Sequence, residues 1–523
     1  MFTSKNYLLL TVFVSGMTTL GVELSASRLL EPFFGNSLVV WASIIGLMLL
    51  YLTLGYVLGG RWADRDPRPG TLYQITAWGA FLVGLVPLAA APVLRWAVIG
   101  FTDYDAAILA GSLLAVLVLF SLPITLLGAV SPFAIRLTLR NVAQGGHTAG
   151  SIYALSTLGS LLGTFLPALA LIPNLGTRLT FLTLALLLLL VSLGGLFLTR
   201  TRRAWPYLAL PVILLGLYGL WANAPIKPAS GLVYETESRY NYIQVVEQTD
   251  PSGQTWRDLR LNEGQGIHST YNPAYPDYPL VDGVWDYFLL APYFNNPPFS
   301  EGQVKRLLVI GAAAGTISKA YSGIYGPIPI DGVELDPAII AVGRRWFNMT
   351  EPNLTVYAQD GRYFLTHAGQ SYTVIAVDAY RPPYIPFQLT TVEFFTQVDR
   401  HLDANGVVAI NAGRTATDDS LIRALGATMR AVFPNVYVLD VPDYGSSLGN
   451  SLVIATKQPT RLDNFAVNAA QLRQPLLRVV ADRALHTRLW ELQPTPADPV
   501  FTDDKAPVEQ VIHSLIARYM LGG

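Results

Sequence analysis

Seven segments within the first 222 residues are apolar enough to cross a bilayer, and they leave such a chain few ways to fold. A crossing needs about 20 residues, and the runs lie near 7–30, 38–60, 71–98, 106–135, 149–173, 177–199 and 205–222. Only 14% of the 523 residues are charged and 51% are hydrophobic, whereas a soluble domain carries about 25% charged residues. Part of the chain therefore faces lipid. The first run is too long for a secretory signal and has no clear small-residue cleavage site, so it reads as a retained helix. Arg28 and Glu31, three apart on one face of it, suit an ion pair at the helix end. Glu23 suits either a polar contact or a cavity inside the bundle. Pro123 and Pro132 are expected to kink or break the fourth run.

Charge divides the chain. Residues 1–222 carry 12 Lys+Arg against 6 Asp+Glu, a net of +6, so the remainder carries 35 − 12 = 23 against 36 − 6 = 30, a net of −7. No basic stripe points to nucleic acid. The absence of cysteine excludes disulfides, thiolate catalysis and Cys-ligated metals. His367, His401 and His513 show no metal-ligand spacing.

Beyond a proline-containing linker at 223–230, the pattern changes. A small β subdomain, residues 231–284, is expected from the alternating segments 242–247 and 259–262 around the turn 250–253. Residues 285–523 then alternate strand and helix: strands at 306–310, 330–334, 354–357, 373–377, 406–411, 435–439 and 451–456, and helices at 315–322, 337–346, 391–402 and 419–432. A mostly parallel sheet with helices on both faces follows, with its ligand at the carboxyl ends of the strands. Those ends carry Gly311 and Gly315 after the first strand, Glu334 after the second, Asp360 and Gly361 after the third and Asp378 after the fourth. A small-residue turn lets backbone amides approach a ligand, and an acid about 20 residues on suits a ribose. Asp336 before Pro337 reads as a helix cap.

The segment from about Glu237 to Glu509 resembles spermidine synthase, a polyamine aminopropyltransferase. The whole chain resembles the membrane-fused proteins described as fused major-facilitator/spermidine-synthase-like. The matching stretches are Val309 to Thr316, Val333 to Phe347, Asp360 to Leu365, Val374 to Pro382, Ile385 to Phe395 and Thr502 to Glu509. The fold this implies is a multi-pass helical membrane domain fused to a Rossmann-like domain of the S-adenosylmethionine-dependent transferase type with a small β-hairpin subdomain.

The resemblance implies that Glu334 binds ribose hydroxyls, that Asp360 with Gly361 meets the adenine edge, and that the Gly311 turn meets the aminopropyl or amino-acid end. Asp378 would be the general base. Tyr240, Gln265 and His268 match the β portion that reaches into the same cleft. The implied cofactor is S-adenosylmethionine or its decarboxylated form, without metal, and the implied substrate is a polyamine or other amine.

Two positions depart from the family. Ala314 stands where the family has an aspartate that grips the aminopropyl ammonium, and Arg381 where it has a second acid. Each missing charge contact is worth up to about 4 kcal/mol at an effective dielectric near 20, which opposes ordinary putrescine-to-spermidine synthesis. Arg381 favours a carboxylate-bearing group instead. A methyltransferase, or a catalytically silent scaffold in a membrane complex, are the other readings.

An integral protein of a prokaryotic cell membrane is expected. Lys5, Arg61, Arg65, Arg68, Arg136, Arg140, Arg200, Arg202 and Arg203 fall on one side of a seven-span chain, against Arg95 and Arg178 opposite, so the amino terminus is expected in the cytoplasm. Seven crossings place the rest outside, whereas cofactor supply places it inside.

Overall fold

The computed structural model describes residues 4–34, 38–99, 104–139, 141–199, 202–221, 224–262, 266–380, 385–442 and 448–520. It divides into two compact units: residues 1–228 with 235–242, and residues 229–234 with 243–523.

The first unit is helical: α1 (Ser4–Phe34), α2 (Leu38–Arg65), α3 (Pro69–Ile99), α4 (Tyr104–Gly128), α5 (Val130–Thr138), α6 (Gly145–Leu166), α7 (Ile172–Leu198) and α8 (Ala209–Leu220). Five helical runs among the described residues are long and apolar enough to cross a membrane, the last being the 54-residue run Gly145–Leu198. The fifth and sixth expected segments thus share one run, and the seventh is a shorter apolar helix. Pro123 lies inside α4. The interruption falls at Ala129, beside Pro132, which removes the donor that the Gly128 carbonyl meets in a regular helix. α1 and α6 approach through small residues: a Cβ on Gly159 would lie 2.0 Å from the Phe13 carbonyl oxygen, and one on Gly163 2.0 Å from that of Met17. Such contacts let apolar helices pack without a hydrophobic drive between them.

Arg28 and Glu31 form the expected pair at 2.6 Å. The Arg28 guanidinium also donates to the carbonyls of Ser238 at 2.5 Å and Tyr240 at 3.2 Å. At Gly176 the backbone of α7 turns to φ 77°, a left-handed value that glycine adopts without a Cβ clash. The Glu237 carboxylate fills that break, accepting from the Thr177 amide at 2.7 Å and its hydroxyl at 2.6 Å. An acid at a restarted helix satisfies orphan amides and opposes the positive end of the dipole.

Past the linker, β1 (Leu232–Glu237), β2 (Tyr242–Thr249), β3 (Thr255–Leu261) and β4 (Ile267–Tyr271) form a four-stranded sheet in chain order rather than one hairpin, with residues 235–242 counted in the first unit. The short helix α9 (Val284–Tyr287) leads into the larger domain. There β5 (Leu307–Ile310), α10 (Thr316–Tyr325), β6 (Ile330–Glu334), α11 (Pro337–Trp346), β7 (Leu354–Ala358), α12 (Gly361–His367) and β8 (Tyr372–Val377) alternate. They are followed by α13 (Val392–His401), β9 (Leu402–Thr415), α14 (Ser420–Arg430), β10 (Asn435–Asp440), β11 (Leu448–Thr456), α15 (Asp463–Ala469), α16 (Pro475–Leu485), β12 (Leu489–Glu491) and α17 (Val508–Met520).

The eight-stranded sheet runs β12-β10-β11-β9-β8-β5-β6-β7. Strands β7, β6, β5, β8 and β9 are parallel, and β11, β10 and β12 close one side antiparallel. Alternate residues of the apolar strands feed two cores. Leu307, Val309, Val374 and Ala376 pack with Phe288, Phe294 and Tyr321, while Leu308, Ile310, Ile375 and Val377 pack with Phe364, Phe394 and Phe395. Burial on both faces explains why these strands read as continuous apolar runs.

Candidate functional site

Because β7, β6, β5 and β8 are parallel neighbours, their carboxyl ends share one edge of the sheet. In that order the edge presents Asp360, Glu334, Gly311 and Asp378. The backbone fixes the alignment: the Gly311 amide donates to the Val333 carbonyl and the Asp378 amide to that of Ile310, both at 2.9 Å, and the Gln359 amide donates to Glu334 at 3.1 Å.

The turn 311–315 holds Gly311 at φ 87°, Ala313 at φ 45° and Gly315 at φ 92°. A Cβ on Gly311 would lie 2.4 Å from the Asp378 carbonyl oxygen, so only glycine lets β5 and β8 approach here. Within the turn the Ala313 amide donates to Glu334 Oε2 and the Ala314 amide to the Ser269 hydroxyl, each at 3.0 Å. Glu334 Oε1 accepts from the Asp336 amide at 3.0 Å. Burial pushes the Glu334 carboxyl up to about 7, although the amides of Asp336 and Ala313 favour its charged form. Each oxygen keeps a second lone pair, so the carboxylate can still accept from two hydroxyls.

Asp360 caps α12, its Oδ1 accepting from the amides of Arg362 and Tyr363 at 3.0 Å, while Oδ2 makes no hydrogen bond among the described residues. Gly361 sits under Ile310, whose Cγ2 would lie 2.4 Å from an added Cβ. Asp336 caps α11 through the Ala338 amide at 3.0 Å, with Pro337 in the first turn.

Asp378 has partners that sequence reasoning missed. Asn411 on β9 donates to Asp378 Oδ1 at 2.9 Å, and the Trp285 side chain of α9 hydrogen-bonds the same carboxyl. Burial pushes that carboxyl up to about 6, and these two bonds pull it down. Asn411 Oδ1 is enclosed with no partner among the described residues. A lone amide inside the apolar run Val407–Ala412 was the available signal for Asn411; none marked Trp285.

Ala314 is buried against Ile243, Val245, Leu259 and Phe347, so the turn brings no carboxylate to this place. His268 lies on β4; burial lowers its imidazole to about 4 and leaves it neutral at pH 7, with Nε2 enclosed and no partner among the described residues. Tyr240 belongs to the helical unit, where its carbonyl accepts from Arg28. Gln265 and Arg381 lie outside the described residues. Among the described residues no group of three His, Asp or Glu side chains is placed to hold a metal.

Residues 295–464 match the spermine/spermidine synthase domain family. A probable polyamine aminopropyl transferase of Bifidobacterium longum is 30% identical over 311 residues, 55% of this chain and 65% of that protein's length. A polyamine aminopropyltransferase of Vibrio vulnificus is 29% identical over 285 residues, 51% of this chain and 91% of the relative. Among solved structures, a probable spermidine synthase from Corynebacterium glutamicum covers 53% of this chain and 97% of its own, at 19% identity and a TM-score of 0.42.

Proposed function

The C-terminal half of this chain carries a spermine/spermidine synthase domain, and from that premise we propose that it binds a decarboxylated S-adenosylmethionine-like nucleoside and transfers its aminopropyl group to an amine other than free putrescine. The observation that carries the reading is the order Asp360, Glu334, Gly311, Asp378 along four adjacent strand ends.

In this reading the unused lone pairs of Glu334 take the ribose hydroxyls, Asp360 Oδ2 takes an exocyclic amine of the base, and the glycine turn admits the sulfonium arm. The sulfonium supplies an electrophilic carbon and leaves as a neutral thioether. The nitrogen of the acceptor forms the new N–C bond as the C–S bond breaks with its electron pair, and the nitrogen's proton passes to the Asp378 carboxylate. Asn411 and Trp285 hold that carboxylate in place, and the enclosed Asn411 Oδ1 accepts from a second N–H of the amine. Alignment plus one base is most of what such a displacement needs.

Ala314 removes the anchor for a distal ammonium, so the donor's tail is held less by charge. Arg381 suits an acceptor that carries a carboxylate. Ala314 also leaves no acid to repel a carboxylate on the cofactor, which favours methyl transfer from S-adenosylmethionine as the second reading.

The test is thermal unfolding of the purified full chain with methylthioadenosine, S-adenosylmethionine and its decarboxylated form. Ligand at about 100 times its dissociation constant stabilises by roughly 2.7 kcal/mol. Glu334→Ala and Asp360→Ala are each expected to abolish the shift. An undiminished shift in both variants removes the assigned pocket, and no shift with any of the three favours the assembly-module reading.

Five apolar helical runs support anchoring in a bilayer, and the transferase reading requires the second half to face the cytoplasm, where the nucleoside is made. A reporter fused at the carboxyl terminus is expected to report a cytoplasmic location in cells. An exported reporter would overturn the transferase reading.

A further inference from the structure

A hollow whose wall does not include the rim acids lies beside the turn 311–315. It has a volume of about 340 Å³ and is walled by Trp256, Tyr271, Tyr275, Tyr278 and Phe347, with Lys319 of α10 at one side; Glu334, Asp360 and Asp378 do not line it. A volume of this order sits at the lower end of small-molecule sites.

The charge of the wall decides what fits. Lys319 is the one charged side chain in it. Its ammonium already donates to Glu351 Oε1 at 2.5 Å and to the Asn348 carbonyl at 2.9 Å, and it stands 5.9 Å from the centre of the Tyr271 ring. The wall is therefore close to neutral. An ion entering it gives up water without gaining an opposite charge, and that is costly.

The five rings instead offer flat apolar faces, which favour offset stacking or edge contact with another ring. One polar edge is available as well. Asn272 donates to Gln254 Oε1 at 3.1 Å, which turns the amide so that Gln254 Nε2 remains a donor for a ring nitrogen or carbonyl oxygen.

We propose that this cavity is a second binding site, for an uncharged planar heteroaromatic molecule stacked among Trp256, Tyr271 and the two exposed tyrosines, with an acceptor atom on the Gln254 amide. The cavity wall includes Ala314 and Thr316, so its occupant touches the glycine turn on a flank that the rim acids do not reach. The cavity exists whether or not the rim takes a nucleoside.

Nicotinamide, nicotinate and 1-methylnicotinamide share one ring and differ in charge, which makes them suitable probes for ligand-observed NMR titration of the full chain. Nicotinamide is expected to saturate and to bind at least about 5-fold tighter than either ion. Tyr275 and Tyr278 are 57% and 51% exposed, so the double variant Tyr275→Ala/Tyr278→Ala keeps its fold, checked by circular dichroism, and weakens nicotinamide about 10-fold. Gln254→Leu weakens it about 3- to 10-fold, the range for one net hydrogen bond. Asp360→Ala leaves it unchanged.

Four results would each overturn the proposal: no saturable binding, tighter binding of either ion, full affinity in the double tyrosine variant, or loss of binding in Asp360→Ala. The last would assign the signal to the rim.

Discussion

Asp378→Asn is expected to lower the turnover of amine transfer by about 10²- to 10⁴-fold, the usual contribution of a positioned base, while the methylthioadenosine-induced thermal shift stays at its wild-type size. Asparagine keeps the shape of the side chain and the bond network with Asn411 and Trp285 in reach, so the loss isolates proton acceptance from packing. The pH profile adds a second readout. The Asp378 carboxyl is raised by burial to about 6, and a base must be ionised to act. Activity per free enzyme therefore falls as pH drops through about 6, and the asparagine variant lacks that acid limb. Unchanged turnover in Asp378→Asn, or an identical limb, removes Asp378 from the reaction.

Gly311→Ala is expected to cost about 2–5 kcal/mol of stability. Two independent penalties add at this position. An L-residue at φ 87° pays about 1–2 kcal/mol for the left-handed conformation, and its Cβ meets the Asp378 carbonyl oxygen at 2.4 Å, an overpacking worth about 1–3 kcal/mol. The obstacle is backbone in the central pair β5 and β8, so no side chain can swing aside. The loss is a large share of the roughly 5–15 kcal/mol that holds a domain. Chemical denaturation of the purified protein measures it, and a midpoint equal to wild type would contradict the close approach of these two strands.

The rim was legible in sequence because parallel strands buried on both faces read as short apolar runs, and each run here ends in glycine or an acid. Knowing that such strands share a carboxyl edge brings Gly311, Glu334, Asp360 and Asp378 together without any knowledge of register. Partners across strands are another matter. Asn411 reaches Asp378 only because β9 pairs with β8 in one register, Val377 beside Ile410, and Trp285 arrives from a helix almost a hundred residues upstream. The three antiparallel strands at one edge also escaped the reading, since alternation of strand and helix predicts parallel neighbours. In the helical half, apolar length found the segments, but hydropathy alone does not tell a 54-residue broken helix from two separate spans. The break itself is set by one glycine conformation and by a carboxylate 60 positions later.

That carboxylate makes the border between the two halves a poor place to cut. Glu237 lies past the proline linker, yet it plugs the restart of a helix that belongs to the apolar helical bundle, and Arg28 grips the carbonyls of Ser238 and Tyr240 just beyond it. A bundle expressed alone and ended at the linker would lose its own stopper and leave the Thr177 amide and hydroxyl seeking water at an apolar boundary, with Arg28 held by Glu31 alone. The helical half thus borrows a piece of its architecture from the chain that follows it.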